Sequence, residues 1–410
     1  MAHVAWLGKK SPFCGNVTYG LTTTHALRNR GHSISFIHFD TPAGSLGRLG
    51  GIDRPGPSAL ESVDIDPPSG DGYNPEVALP YLVKGQVYTI PSLGAQRELR
   101  ASLERLRPDL VHASLTLSPL DFLLPDLCQQ LGLPLVATFH PPFDASLRNL
   151  TAGTQQLTYQ LYAPSLAKFD RVIVFSELQA EVLQRLGVPA DRLAVIPNGV
   201  DTTLWCPGHP SSDSPELADL RRRFAGRRVF LYMGRVATEK NVEALLKAWR
   251  LVRPHGCVLV IVGDGPVRSN LQQTIGEEAG VVWWGYEPSL ERRVAFQQLA
   301  EVFVLPSLVE GLSLSLLEAM AAGSACVATD AGADGEALDA GAGIVISTQG
   351  VTTQLRTLLP VLRDQPVLTA ELGRRARARA LERYTLTGNI DALEQLYRQL
   401  VPSRSSPLPA

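Results

Sequence analysis

Cysteine is scarce in this chain. Five occur in 410 residues, at positions 14, 128, 206, 257 and 326, odd in number and never as C-x-x-C. Neither a disulfide framework nor a zinc site fits that spacing, and a reducing, cytoplasmic compartment is expected. Long apolar runs are missing too. No stretch approaches eighteen apolar residues, so no bilayer-spanning helix is expected, although peripheral attachment to a membrane stays open. Near the N-terminus the run Val4-Ala5-Trp6-Leu7 is too short for a signal segment, and Lys9 and Lys10 follow it rather than precede it. Nor is there an excess of one charge: 38 Lys+Arg stand against 40 Asp+Glu, a formal net charge of -2. With no global positive field, a nucleic-acid partner is not expected and any anion site must be local. The glycine fingerprint G-x-G-x-x-G is lacking after the first apolar run, where Phe13-Cys14-Gly15-Asn16 stands instead, and with it goes a nicotinamide dinucleotide. No Ser/His/Asp nucleophile constellation is legible.

What is present points to a large α/β protein. A length of 410 residues predicts two or three domains, and 45% hydrophobic with 19% charged residues suffices for more than one core. Short runs rich in Val and Ile alternate with helix-period segments, which implies parallel strands joined by crossover helices. Strands are predicted at residues 3–7, 33–39, 86–90, 110–113, 135–139, 171–175 and 193–196, with helices at 19–29, 94–106 and 177–186. A second series of strands follows at 228–233, 258–262, 281–284, 302–305, 325–329 and 343–346. Between the series, residues 206–215 are dense in Pro, Ser and Gly and mark a boundary. Two doubly wound domains in tandem are predicted, 1–204 and 205–385, whose facing sheets would share a cleft. Residues 41–80 hold seven Gly and seven Pro without periodicity and read as a surface excursion. Residues 386–401 read as a packing helix, with Ile390, Leu393, Leu396, Tyr397 and Leu400 on one face, and residues 402–410 as a disordered tail.

Several strand ends carry chemistry. After Phe303-Val304-Leu305-Pro306-Ser307 comes Glu310-Gly311-Leu312-Ser313, then a helical pattern containing Glu318. Gly311 allows close backbone approach, and free amides near Leu312 and Ser313 at the helix start would seat a phosphate. One glutamate could bond sugar hydroxyls and the other a ribose diol; two solvated carboxylates on an amphipathic helix fit the spacing equally well. Gly234-Arg235 and Glu239-Lys240-Asn241 follow another strand, where Arg235 and Lys240 could stabilise a departing diphosphate without a metal. Taken alone, that pair also suits ordinary surface charge. Gly263-Asp264-Gly265 is a third strand-end loop, and a common turn. In the first half, Gly15 would admit a ligand to the backbone, and His140 closes a strand and should point into the cleft, either as a ligand contact or as a hydrogen-bonded structural histidine.

Together with Pro197-Asn198-Gly199-Val200-Asp201, these residues resemble the retaining glycosyltransferases of family 4, whose fold is called GT-B. The resemblance covers nearly the whole chain. It implies a hexosyltransferase with a nucleotide-diphosphate sugar donor and no cofactor or metal. By that likeness Arg235, Lys240, Glu310 and His140 act on the reacting groups: Arg235 and Lys240 hold the diphosphate, Glu310 and His140 the donor sugar. It also implies that Glu318 binds the ribose, and that Gly15, Asn198, Gly234, Gly263, Gly311, Leu312 and Ser313 line the donor site. More narrowly, Trp6-Leu7-Gly8-Lys9-Lys10 through Tyr19 is similar to cyanobacterial digalactosyldiacylglycerol synthases. That likeness implies UDP-galactose and a galactolipid acceptor. Lys9, Lys10 and residues 143–169, where Arg148 and Lys168 interleave with leucines, could meet the cytoplasmic face of a membrane; a core-facing helix with two surface cations is the other reading of that segment. A soluble or polysaccharide-precursor acceptor and a nucleotide-sugar 2-epimerase on the same architecture are the competing readings; incubation with donor alone separates the epimerase, which would change the sugar.

Overall fold

The computed structural model describes residues 1–11, 15–40, 75–85, 88–143, 152–208 and 213–401. Its strands are β1 (His3–Leu7), β2 (Ser33–Phe39), β3 (Glu76–Leu79), β4 (Tyr81–Lys84), β5 (Thr89–Pro91), β6 (Leu110–Ser114), β7 (Leu135–Thr138), β8 (Arg171–Val174), β9 (Leu193–Val195), β10 (Arg228–Met233), β11 (Cys257–Val262), β12 (Val281–Gly285), β13 (Val302–Leu305), β14 (Ala325–Thr329) and β15 (Ile344–Ile346). One seven-stranded sheet runs β3-β2-β1-β6-β7-β8-β9 and a six-stranded sheet runs β12-β11-β10-β13-β14-β15. Both are doubly wound, so the predicted α/β architecture holds. All strands of the first sheet end by Val195 and those of the second begin at Arg228.

The chain forms two compact units, Met1–Val136 and Ala137–Ala410, which meet inside β7. The later unit draws in the residues after β9 because they are tied to the C-terminal helix. The Val200 N–H bonds Tyr384 C=O and the Leu386 N–H bonds Val200 C=O, each at 2.9 Å, and the Asn389 side-chain amide donates to Pro197 C=O at 2.7 Å. That helix, Leu386–Leu400, starts one turn earlier than its apolar face suggests, because Thr385 caps it by accepting the Gly388 N–H. Ile390, Leu393, Leu396 and Tyr397 are buried; Leu400 is only half-buried.

In the first unit β1 is sandwiched between β2 and β6, and Trp6 packs against Tyr19 and the His112 ring. The first helix begins at Gly15, not 19, despite its run of threonines; Thr24 is buried and returns its hydroxyl to Gly20 C=O at 2.7 Å. Residues 41–74 of the expected excursion lie outside the described residues. Residues 76–79 correct that expectation: they form β3, parallel to β2, with Val77 and Leu79 buried. Pro75 and Pro80 flank this edge strand, which hides so short an alternation from a search by period. The expected strand at 86–90 is replaced by the antiparallel pair β4 and β5, which carries Leu82, Val83, Tyr88 and Ile90 exposed.

The basic surface expected at Lys9 and Lys10 is also corrected. Lys9 is buried with its amine 3.4 Å from Gly85 C=O, and Lys10 pairs with Glu76. Arg148, Leu147 and Leu150 lie outside the described residues, as do residues 402–410. Farther on, the helix Ala152–Leu166 buries Tyr159, Tyr162 and Leu166 and exposes Leu157 and Leu161. Among the described residues no helix is long and apolar enough to cross a membrane.

Candidate active site

β10 and β13 are neighbours at the centre of the second sheet, and their C-terminal ends deliver the two loops that meet. The loop after β13 places Ser307 fully buried and Glu310 almost so. Glu310 Oε1 accepts the Ser307 hydroxyl at 2.8 Å and the Lys240 ammonium at 2.5 Å. Lys240 arrives on a short turn, Thr238–Lys240, that a left-handed Asn241 at φ 52° converts into the helix Val242–Val252. A backbone bond from the Leu308 N–H to Glu239 C=O, 2.8 Å, locks one loop to the other. Lys240 and Glu310 are thus brought together with the cation directly on the carboxylate, a pairing the sequence did not show. An ammonium carries three donors, so Lys240 keeps capacity for a phosphate oxygen. Arg235 pairs with Glu239. Beneath them Tyr232 donates to Arg235 C=O at 2.7 Å. Burial first, then the charges of Glu310 and Glu239, push its phenol well above the ordinary range.

The helix after the loop spans Leu314–Ala322, so Glu310 stands before it and only Glu318 lies on it. The first bond into the helix runs from the Leu317 N–H to Ser313 C=O, 3.2 Å, which leaves the N–H groups of Leu314 and Ser315 ahead of it. The Ser313 N–H, expected to be free, is not: Asp334 Oδ1 accepts it at 2.8 Å. Leu312 C=O accepts the buried Asn198 side-chain amide at 3.0 Å. Glu318 sits against Arg293, but burial outweighs that charge and pushes its carboxyl up to about 7.

His140 approaches the same loop. Its carbonyl lies 3.2 Å from where a Cβ on Gly311 would stand, and the Phe143 N–H reaches Glu310 C=O at 3.3 Å. The imidazole stacks at a tilt on Phe175, and desolvation lowers its pKa to about 3, so the ring is neutral. Gly263 proves to be a packing position. At φ 136° its Cβ would lie 1.9 Å from Gly234 C=O, a space only hydrogen can occupy. Gly15 opens its helix in the other unit with nothing within 4 Å of its missing Cβ.

Sequence reasoning missed Ser307, Thr329 and Asp334. Thr329 ends β14 and donates its hydroxyl to Ser307 C=O at 2.5 Å. Among the described residues no group of three or more His, Cys, Asp or Glu is placed to hold a metal. One Asp-x-Asp triplet, Asp64-Ile65-Asp66, does occur in the chain, outside the described residues.

Comparison with known proteins bears on the family and the fold. The domain family Glycosyltransferase Family 4 matches residues 15–204, and Glycosyl transferases group 1 matches residues 227–364. The chain is 28% identical over 286 residues to an alpha-maltose-1-phosphate synthase of Mycolicibacterium smegmatis, covering 66% of this chain and 74% of that one. It is 25% identical over 219 residues to an alpha-monoglucosyldiacylglycerol synthase of Streptococcus pneumoniae, 49% of this chain and 47%, about half, of that relative. In fold it is similar to Anabaena HepE solved with UDP-glucose, at a TM-score of 0.71 and 18% identity over 97% of this chain and 99% of that one. With both glycosyltransferase domains matched in order and two doubly wound sheets to carry them, the chain is a glycosyltransferase of the GT-B fold.

Proposed function

We propose that the chain moves a hexose from a UDP-sugar, with UDP-galactose as the donor, to a hydroxyl of a membrane glycolipid with retention of anomeric configuration, as in digalactosyldiacylglycerol synthesis. The observation that carries the transferase reading is the Lys240–Glu310 pair standing before the N-terminal amides of the helix Leu314–Ala322. A diphosphate seated on those amides receives the helix-end field and the remaining donors of Lys240, with Arg235 beside it, so negative charge is stabilised as the sugar departs. Glu310 holds sugar hydroxyls, Glu318 the ribose diol, and the neutral His140 ring offers the sugar a hydrogen bond without adding charge. The bond from C1 to the phosphate oxygen breaks while a bond from C1 to the acceptor oxygen forms on the same face. The departing phosphate oxygen takes the acceptor's proton, so no protein nucleophile and no resident metal is required.

Two points support the donor and acceptor. HepE is solved with UDP-glucose, and a relative named for a diacylglycerol glycolipid is among those similar to this chain. The exposed apolar side chains of β4 and β5 and of Leu157 and Leu161 suit a lipid surface. A screen of radiolabelled UDP-, GDP- and ADP-sugars against extracted membrane lipid tests this. Label from UDP-galactose in the organic phase supports the reading. Label confined to a water-soluble product overturns the lipid acceptor, and a donor whose sugar is merely isomerised in the absence of acceptor overturns the transferase.

A further inference from the structure

Asp334 is the most deeply placed carboxyl near Glu310, and the mechanism above leaves it unused. It opens the short turn Asp334–Ala337 after β14 and has no accessible surface. Oδ1 accepts the Ser313 N–H at 2.8 Å, whereas Oδ2 is buried without a partner. Its neighbours clasp the same loop. The Ala333 N–H donates to Gly311 C=O at 2.7 Å, and Gly332, at φ 59°, passes so close that a Cβ would meet Glu310 C=O at 2.2 Å. Residues 332–334 therefore fix the carbonyls of 310 and 311 and the amide of 313 in one motion.

Charge is the second consideration. The groups facing Asp334 are the Glu310 carboxylate, the Lys240 ammonium and the Ser313 amide. The ammonium is already engaged by Glu310 at 2.5 Å. A second buried carboxylate would leave two anions against one cation, beside the seat of a diphosphate. Burial and the Glu310 charge both raise its affinity for a proton, more than the amide and Lys240 lower it.

We propose that Asp334 is a positioning residue of the donor site that works as a neutral carboxylic acid, holding Ser313 and the start of the helix Leu314–Ala322 through Oδ1 while leaving Lys240 to Glu310 and the donor. This rests on the donor-site reading above. Removing the acceptor releases the loop; removing only the ability to ionise changes nothing.

The test measures UDP binding by calorimetry to the full chain and to Asp334→Asn and Asp334→Ala, from pH 6 to 9, with turnover alongside. Wild type and Asp334→Asn, which keeps the shape and the acceptor oxygen, are expected to bind UDP within twofold of each other across the range. At pH 9, where Glu318 is ionised, the infrared band of a protonated carboxyl should be present in wild type and absent from Asp334→Asn. Asp334→Ala should bind at least fivefold more weakly, so that the conservative variant rescues what truncation loses. An Asp334→Asn that binds UDP more than fivefold tighter shows that a negative charge was removed and overturns the proposal, as does an Asp334→Ala that binds like wild type. If Asp334→Ala does not fold, the Asp334→Asn comparison and the infrared band still decide. Wild type that binds no UDP overturns the donor-site reading itself, a different result from UDP binding that ignores Asp334.

Discussion

Two loop regions of this molecule follow opposite rules. Between β13 and the turn after β14, polar groups are taken out of water and paired: Ser307 and Lys240 on Glu310, Thr329 on Ser307, Ser313 on Asp334. In the hairpin of β4 and β5 and the turn after it, apolar groups are left in water, with Leu82, Val83, Tyr88, Ile90 and Leu93 all at least 40% exposed. Burying unpaired polar groups costs roughly 1–3 kcal/mol each, and exposing apolar ones forfeits roughly 25 cal/mol per Å². The first region is therefore held to one geometry, as a site that stabilises developing charge must be. The second is held by its backbone ladder, and its apolar surface remains for something outside the described residues to cover.

The sharpest way to break the first region is to fill its packed backbone. Gly263→Ala puts a methyl where only 1.9 Å separates it from Gly234 C=O and imposes a side chain at φ 136°. A loss of stability on the order of 3 kcal/mol or more is expected, read as a fall in midpoint denaturant concentration, with Arg235 and Lys240 displaced together. A variant as stable as wild type would show that the β10 and β11 loops are not locked.

Lys240→Ala comes next. Turnover should fall more than tenfold, because the departing diphosphate loses its cation. The ion pair is more enclosed than a surface pair: its side chains are 22% and 9% exposed. Stability should therefore fall as well, by about 1–3 kcal/mol, since Glu310 is left without its partner. Chelator should not abolish wild-type activity; full loss in EDTA with rescue by magnesium or manganese would move the charge stabilisation from Lys240 to a metal.

Glu318 gives a smaller effect that depends on pH. Burial holds its carboxyl up at about 7, against 4.5 unperturbed. An ionised carboxylate accepts both hydroxyls of a ribose diol, so donor affinity should rise as pH passes through 7. The donor KM is expected to fall by up to about tenfold from pH 6 to 8, and Glu318→Gln should flatten that profile. Stability runs the other way. The raised pKa means the folded state holds a proton the unfolded chain releases, so this contribution is full below pH 4.5 and lost as pH rises to about 7. The Tm of wild type should decline relative to Glu318→Gln over that window.

The contrast between the regions also explains what could be read from the chain alone. β11, with Val258, Leu259, Val260 and Ile261 fully buried, declares itself as an apolar run. Lys240 and Glu310 could be singled out because their residue types stand just beyond such runs. Asp334 was not, because its burial comes from β14 returning its loop over residues 310–313, 21 residues from its partner Ser313. The only local sign was the pair of glycines, Gly332 and Gly335, on either side of it. Likewise Lys9 and Lys10 look like surface cations in sequence, and only the hairpin and β3 reveal that one is buried against Gly85 and the other is paired with Glu76.

The smallest effect on the fold belongs to the hairpin, and it sharpens the comparison most. Leu82→Ser with Ile90→Ser exchanges exposed apolar groups for polar ones, so stability should change by less than about 0.5 kcal/mol. UDP binding should not change either, because neither residue belongs to the donor site. If this surface meets lipid, wild type should co-sediment with vesicles of membrane glycolipid and anionic phospholipid, and the double variant should lose most of that binding together with transfer to lipid acceptors. The dependence on salt should be weak, because Lys9 and Lys10 are engaged within the protein and the contact is apolar rather than electrostatic. Binding that vanishes at moderate salt would assign the membrane contact to cations elsewhere in the chain, and vesicle binding unaltered by the double substitution would remove the hairpin from the acceptor side altogether.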